Sequence, residues 1–238
     1  MKIAIIGGRA ASCLLKEGYK SHTVPTTYGC VELYELADYY LILRHLRETS
    51  VLPHQINYQA NIEALKVMGI TKAIGIYSVG SITEKIKPGE IGLVNQFIDF
   101  TNRVEQSTFN TKENRVGHVS MSHPYSKRIN KALLEGASKV NVDMKEGGTY
   151  ICTNGPRLET AAEIEAFKRM GADYVGMTGA TEAILANEIE LEFASIAYSV
   201  NWAAGIKEGE ITFISDKKVN YMITQIERLI ISANLNGL

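Results

Sequence analysis

The residues best equipped for chemistry are scattered through the chain, and most familiar catalytic spacings are missing. The opening run KIAIIGGRAAS places two adjacent glycines after an apolar stretch, with Arg9 beside them. Such a turn lets backbone N–H groups approach an anion closely. It lacks the third glycine of a dinucleotide fingerprint, so a plain tight turn after a first strand is the simpler account. Five histidines (His22, His45, His54, His118, His123) show no HxxxH or HExxH spacing, and no metal site is expected. No serine sits in a G-x-S-x-G elbow, which removes support for a hydrolase triad. Cys13, Cys30 and Cys152 are odd in number and widely spaced, which argues against a disulfide framework or a CxxC metal site and for a reducing cytoplasm.

The elements that must position these residues alternate in type. Short runs rich in Ile, Val and Tyr predict strands at Lys2–Ile6, Tyr39–Leu43, Ala73–Tyr77, Ile91–Val94, Thr149–Cys152, Tyr174–Met177 and Phe193–Tyr198. A helix is predicted over Ile56–Met68, where Ile56, Ala60, Leu65 and Met68 share a face. Thr160 and Glu163 form a capping box for another helix, which Gly171 closes, and an amphipathic helix runs from Asp216 to Ala233. The polar stretch from Phe100 to Arg115 is predicted to be a mobile loop or lid. Strand-then-helix alternation without a linker or repeat predicts one α/β domain over residues 1–238.

Bulk properties narrow the partners. With 25 basic and 26 acidic residues the net charge is −1, so no overall field draws the chain to nucleic acid or an anionic membrane. No apolar run reaches the roughly 18–20 residues that span a bilayer, and the start carries no basic leader. Any bound anion must be caught locally.

Several segments together go further. KIAIIGG, RHLRETSVLPHQINYQANI (44–62), VGSI and KPGEIGLVNQFIDFT (79–101), GHVSMSHPY (117–125), and the run from GPRLETAAEIEAF through MTGATEAILANE to YSVNWAAGI (155–206) resemble the purine nucleoside phosphorylase and methylthioadenosine phosphorylase family, in its branch with trimeric members. The resemblance implies a mixed, twisted β-sheet flanked by helices and a homotrimer or dimer of trimers. It implies cleavage of a purine nucleoside by inorganic phosphate, a co-substrate, with no cofactor. Such a reaction passes through an oxocarbenium-like state, so the site must hold phosphate beneath C1′ and stabilise charge on the departing base.

Carried over residue by residue, the resemblance implies phosphate contacts from Gly8, Arg9, Arg44, His45, Ser78 and Thr178, chemistry suited to a guanidinium fork and backbone N–H groups. It implies nucleoside contacts from Val79, Gly80, Leu158, Glu159, Met177, Asn201 and Asp216, and from His118 reaching into a neighbouring subunit. Glu159 and Asn201 are the implied catalytic pair. An ionised Glu159 only accepts, matching the N1–H of a 6-oxopurine, while Asn201 offers its amide to O6 or N7. Relatives acting on 6-aminopurines typically carry a serine and an aspartate at these places. Asp216 has two readings: a partner for the 5′-hydroxyl, or an ordinary acidic residue at a helix start. The chain also departs from the family pattern. Arg9 stands for a Ser or Thr, Thr49 for a histidine, Leu158 for an aromatic and Thr181 for a proline. Arg9 either strengthens phosphate binding or fills the site itself.

Overall fold

The computed structural model describes residues 2–103, 107–109 and 117–237. All five residues of β1 (Ile3–Gly7) are buried. Ala4 and Ile6 join one apolar layer, Ile3 and Ile5 the other. A strand apolar on both faces requires cover on both. Helices α1 (Tyr58–Val67) and α4 (Gly179–Glu188) supply it on the first face. Helices α2 (Lys127–Lys139) and α5 (Asp216–Ser232), with a 3-10 turn at Arg9–Leu14, supply it on the second. Helix α3 (Ala161–Arg169) sets Ile164 and Phe167 against a smaller cluster with Ile151 and Val175.

The remaining strands are β2 (Lys20–Thr26), β3 (Gly29–Glu35), β4 (Tyr39–Leu43), β5 (Lys72–Ser81), β6 (Ile91–Val94), β7 (Gln96–Asp99), β8 (Met144–Lys145), β9 (Thr149–Cys152), β10 (Tyr174–Gly176) and β11 (Glu192–Trp202). Among the described residues they form one mixed sheet in the order β2-β3-β4-β1-β5-β10-β9-β7, with β11 also on β5, β6 on β11 and β8 on β6. No helix among these residues is long and apolar enough to cross a membrane.

Three strands keep the bounds expected from the sequence, at Tyr39–Leu43, Ile91–Val94 and Thr149–Cys152. β5 and β11 run longer than expected because they pair with each other along nearly their whole length, through Ser78, Ser199 and Asn201. Ladder hydrogen bonds carry these polar residues, and apolar patterning cannot register them. Nor does such patterning mark the β2–β3 hairpin, whose residues are mostly exposed or half-buried and whose outer strand β2 forms the sheet edge. It also passes over helix α4, which is buried on most sides and has no amphipathic stripe.

The expected capping box forms. Glu163 N donates to Thr160 Oγ1 at 3.1 Å, and Thr160 N donates back to the Glu163 carboxylate at 2.8 Å. Hydrogen bonding by Arg157 holds the Glu163 carboxyl pKa at about 2. Gly171 follows the helix end at φ +91°. Of the expected loop at 100–115, residues 104–106 and 110–115 lie outside the described residues. The rest is tied down: Arg103 donates to Thr181 Oγ1 at 2.7 Å and to the Met177 carbonyl, and Ser107 and Thr108 bond Glu188.

Candidate active site

A change of strand partner makes the crevice. β1 pairs with β5 only as far as Gly75, and β10 takes over on the same edge at Gly80, running antiparallel. Among the described residues, no strand lies against that edge of β5 between these two points. The gap opens beside the C-terminal ends of β1 and β4, the usual place for a ligand in an α/β sheet. The chain ends that face it carry Gly8 and Arg9 after β1, Arg44 and His45 after β4, and Met177 and Thr178 after β10.

Arg44 closes the back of the gap. Its Nη1 donates to the Ile76 carbonyl at 2.9 Å, and its Nη2 to the Ile6 carbonyl at 2.7 Å. Glu182 accepts from Nε at 2.6 Å and from Nη2 at 3.1 Å. Tyr77 donates its hydroxyl to the same carboxylate at 2.6 Å. Burial opposes the charge on Arg44, but Glu182 outweighs it and raises the guanidinium pKa. Burial likewise pushes the Tyr77 phenol well above its usual range, so it stays a donor. Four of the five guanidinium N–H groups are thereby used. A Cβ on Gly8 would lie 3.4 Å from Nη1, so the guanidinium edge abuts the glycine turn.

In front lies a cavity of about 260 Å³ lined by Gly8, Arg9, Ser12, Leu43, His45, Leu46, Arg47 and Ser50. His45 Nδ1 donates to the Val51 carbonyl at 2.8 Å, which leaves the Nε2 lone pair for a ligand. Burial lowers the His45 pKa and keeps the ring neutral. Two arginines and two hydroxyls around a glycine turn suit an oxyanion.

A second cavity of about 160 Å³ is lined by Ser78, Val79, Gly80, Leu158, Glu159, Met177, Asn201, Ile211 and Phe213, among others. A register shift in β11 between Ser199 and Asn201 supplies the extra residue that re-aims Asn201. Asn201 is buried and gives one amide proton to the Trp202 carbonyl at 2.7 Å, which leaves the second proton and Oδ1 for a ligand. Glu159 precedes the α3 cap and accepts from Thr153 Oγ1 at 2.6 Å. Gly155 makes room: its φ is +62°, and a Cβ there would collide with Met177 Sδ.

The expected site residues are thus partly gathered. Val79, Gly80, Leu158, Glu159, Met177 and Asn201 share the second cavity, and Ser78 joins them. Gly8, Arg9 and His45 share the first. Arg44 and Thr178 are buried and line neither, and Thr178 caps α4 without a side-chain capping bond. Tyr150, through its hydroxyl, accepts from the Thr178 and Gly179 amides that start this helix. Asp216 is an exposed first-turn residue of α5, whose cap is Ser215, and lines neither cavity, whereas Ile211 and Phe213 line the second. His118 is exposed and lines neither cavity. Sequence reasoning missed Glu182, Tyr77, Arg47 and Thr153. A glutamate at 182, inside a helix whose other residues there are small or apolar, is the one available signal. Among the described residues no group of three His, Cys, Asp or Glu could hold a metal ion.

The α/β sheet thus carries one cavity whose arginines, hydroxyls and glycine turn suit an oxyanion and a second, smaller one lined by both polar and apolar side chains. The chain belongs to the phosphorylase superfamily, whose family model matches residues 15–231. It is 42% identical over 219 residues to a probable S-methyl-5′-thioinosine phosphorylase of Thermodesulfovibrio yellowstonii, covering 89% of this chain and 82% of the relative. It is 39% identical over 223 residues to a 6-oxopurine nucleoside phosphorylase of Pyrococcus furiosus, covering 89% and 83%. A methylthioadenosine phosphorylase from Schistosoma mansoni in complex with adenine shares the fold at a TM-score of 0.84 and 26% identity, covering 100% of this chain and 92% of that one.

Proposed function

We propose that this enzyme is a purine nucleoside phosphorylase that splits 6-oxopurine nucleosides with inorganic phosphate into free base and pentose 1-phosphate. The observation that carries the reading is that Glu159 and Asn201 line the same cavity. The carboxylate accepts from N1–H, and the amide meets O6 or N7 as charge builds on the base. Adenine has an acceptor at N1 in place of the N1–H donor and leaves the Glu159 carboxylate mismatched. Phosphate is taken by the cavity at Gly8, Arg9 and His45, with Arg44, paired to Glu182, buttressing the glycine turn from behind. The test is release of hypoxanthine from inosine with and without phosphate, and a comparison with adenosine. Release that ignores phosphate, or adenosine as the better substrate, would sink it.

A second reading concerns the 5′ substituent. Ile211, Phe213 and Leu158 give the purine cavity an apolar side, and Asp216 stands outside it. A thioether suits such a surface better than a hydroxyl does, which favours methylthioinosine. The ratio of kcat/KM for methylthioinosine and inosine decides between them. We also propose a trimer or dimer of trimers, supported by an exposed His118 free to meet a neighbouring copy. A fully active monomer by light scattering would exclude it.

A further inference from the structure

Glu159 stands on the wall between two cavities. One is the purine cavity; the other, on its far side, is lined by Thr153, Gly155, Arg157 and Glu163 among others. The carboxylate therefore has two possible directions. The outer one holds a guanidinium, and electrostatics alone would draw Glu159 that way. Arg157 is engaged elsewhere and exerts little of that pull, and on the outer side Thr153 takes up only one carboxylate oxygen. Arg157 is already held in a two-pronged ion pair with Glu163, at 2.7 and 2.8 Å. Thr153 Oγ1 lies 2.6 Å from Glu159 Oε1.

We propose that Thr153 is a positioning residue for base recognition: its hydroxyl fixes Glu159 so that Oε2 is presented to N1–H of the purine. The proposal rests on the reading of Glu159 and Asn201 as the groups that meet the base. Thr153 follows directly on β9 and is itself fixed, its amide donating to the Gly176 carbonyl at 2.9 Å. Its hydroxyl has one proton. The Gly176 carbonyl is 3.5 Å from that oxygen, at the edge of bonding range, whereas the carboxylate is close. The proton therefore goes to Glu159. A long side chain otherwise free to rotate loses that freedom before substrate arrives, and one of its two oxygens is already occupied. Thr153 lines neither the purine cavity nor the one at Gly8 and Arg9, and it acts only through Glu159.

A double-mutant cycle on inosine at saturating phosphate tests it, with Thr153→Val, Thr153→Ser, Glu159→Gln and the Thr153→Val/Glu159→Gln pair. Thr153→Val preserves shape and removes the proton donor. It is expected to lower kcat/KM for inosine about tenfold or more, mainly through KM, the loss typical of a hydrogen bond to a charged group. Thr153→Ser is expected to stay within about threefold of the parent, and the phosphate KM to be unchanged in both. In the Glu159→Gln background the valine substitution is expected to cost less than about twofold, because the group it acts through is already altered. An equal loss in both backgrounds, a rise in phosphate KM, or wild-type kinetics for Thr153→Val would overturn the assignment. Wild-type inosine kinetics for Glu159→Gln would instead overturn the base reading, and the role of Thr153 with it.

Discussion

Arg44 and Glu182 meet through two hydrogen bonds at 2.6 and 3.1 Å, with the two side chains 2% and 0% exposed. They come from residues 138 positions apart, one after β4 and one inside α4, and so tie the two faces of the crevice together. Neither charge can be left alone in such a place. Arg44→Ala and Glu182→Leu are each expected to lower the unfolding free energy by about 3–5 kcal/mol, the usual cost of breaking a buried pair. Urea unfolding checks this. A loss below about 1 kcal/mol for either variant would show that water reaches the survivor.

Arg9 is exposed at the start of the 3-10 turn and lines the cavity with His45. Arg9→Thr should raise the phosphate KM severalfold while the nucleoside KM changes little, and the effect should shrink as salt rises. An unchanged phosphate KM with full activity would place Arg9 outside the site.

His45 links stability to pH. Its folded pKa is lowered from 6.5, chiefly by burial, so the unfolded chain takes up its proton first as pH falls. The contribution is therefore fully present above 6.5 and is lost on acidification below it. The slope reaches at most about 1.4 kcal/mol per pH unit. Denaturation midpoints taken between neutral and mildly acidic pH should fall more steeply for the parent than for His45→Asn. Parallel curves would remove His45 as the source.

Selectivity at the 5′ end should follow the cavity wall and not the α5 helix start. Phe213→Ser is expected to lower kcat/KM for methylthioinosine relative to inosine by about tenfold, the scale of losing one apolar contact. Asp216→Val should leave that ratio unchanged and cost at most about 1 kcal/mol of stability through the helix dipole. A ratio that moves with Asp216 and not with Phe213 would restore Asp216 to the site.

Gly155→Ala combines a left-handed backbone with a collision at Met177. It should cost about 1–2 kcal/mol from the backbone conformation alone, and base release should fall because Met177 must shift. A variant with native melting temperature and native kcat would show that the segment re-forms freely.

Periodicity alone locates β4, β6 and β9 to the residue, since strands buried on both faces read as short apolar runs. The box of Thr160 and Glu163 and the glycine at 171 mark both ends of α3, because caps are local chemistry written in adjacent residues. Family resemblance implies Glu159 and Asn201 as a pair, and both line one cavity. What lies beyond the sequence depends on distance along the chain. Glu182 is paired with a residue 138 positions earlier, and Thr153 reaches Glu159 across the Gly155 turn. Asp216 and Ile211 are near neighbours in the chain, yet only the latter lines the cavity, because the path of the chain into α5 sets which side chain faces inward. Residue type and spacing state what a group can do; which partner it meets is decided by packing between elements that are remote in sequence.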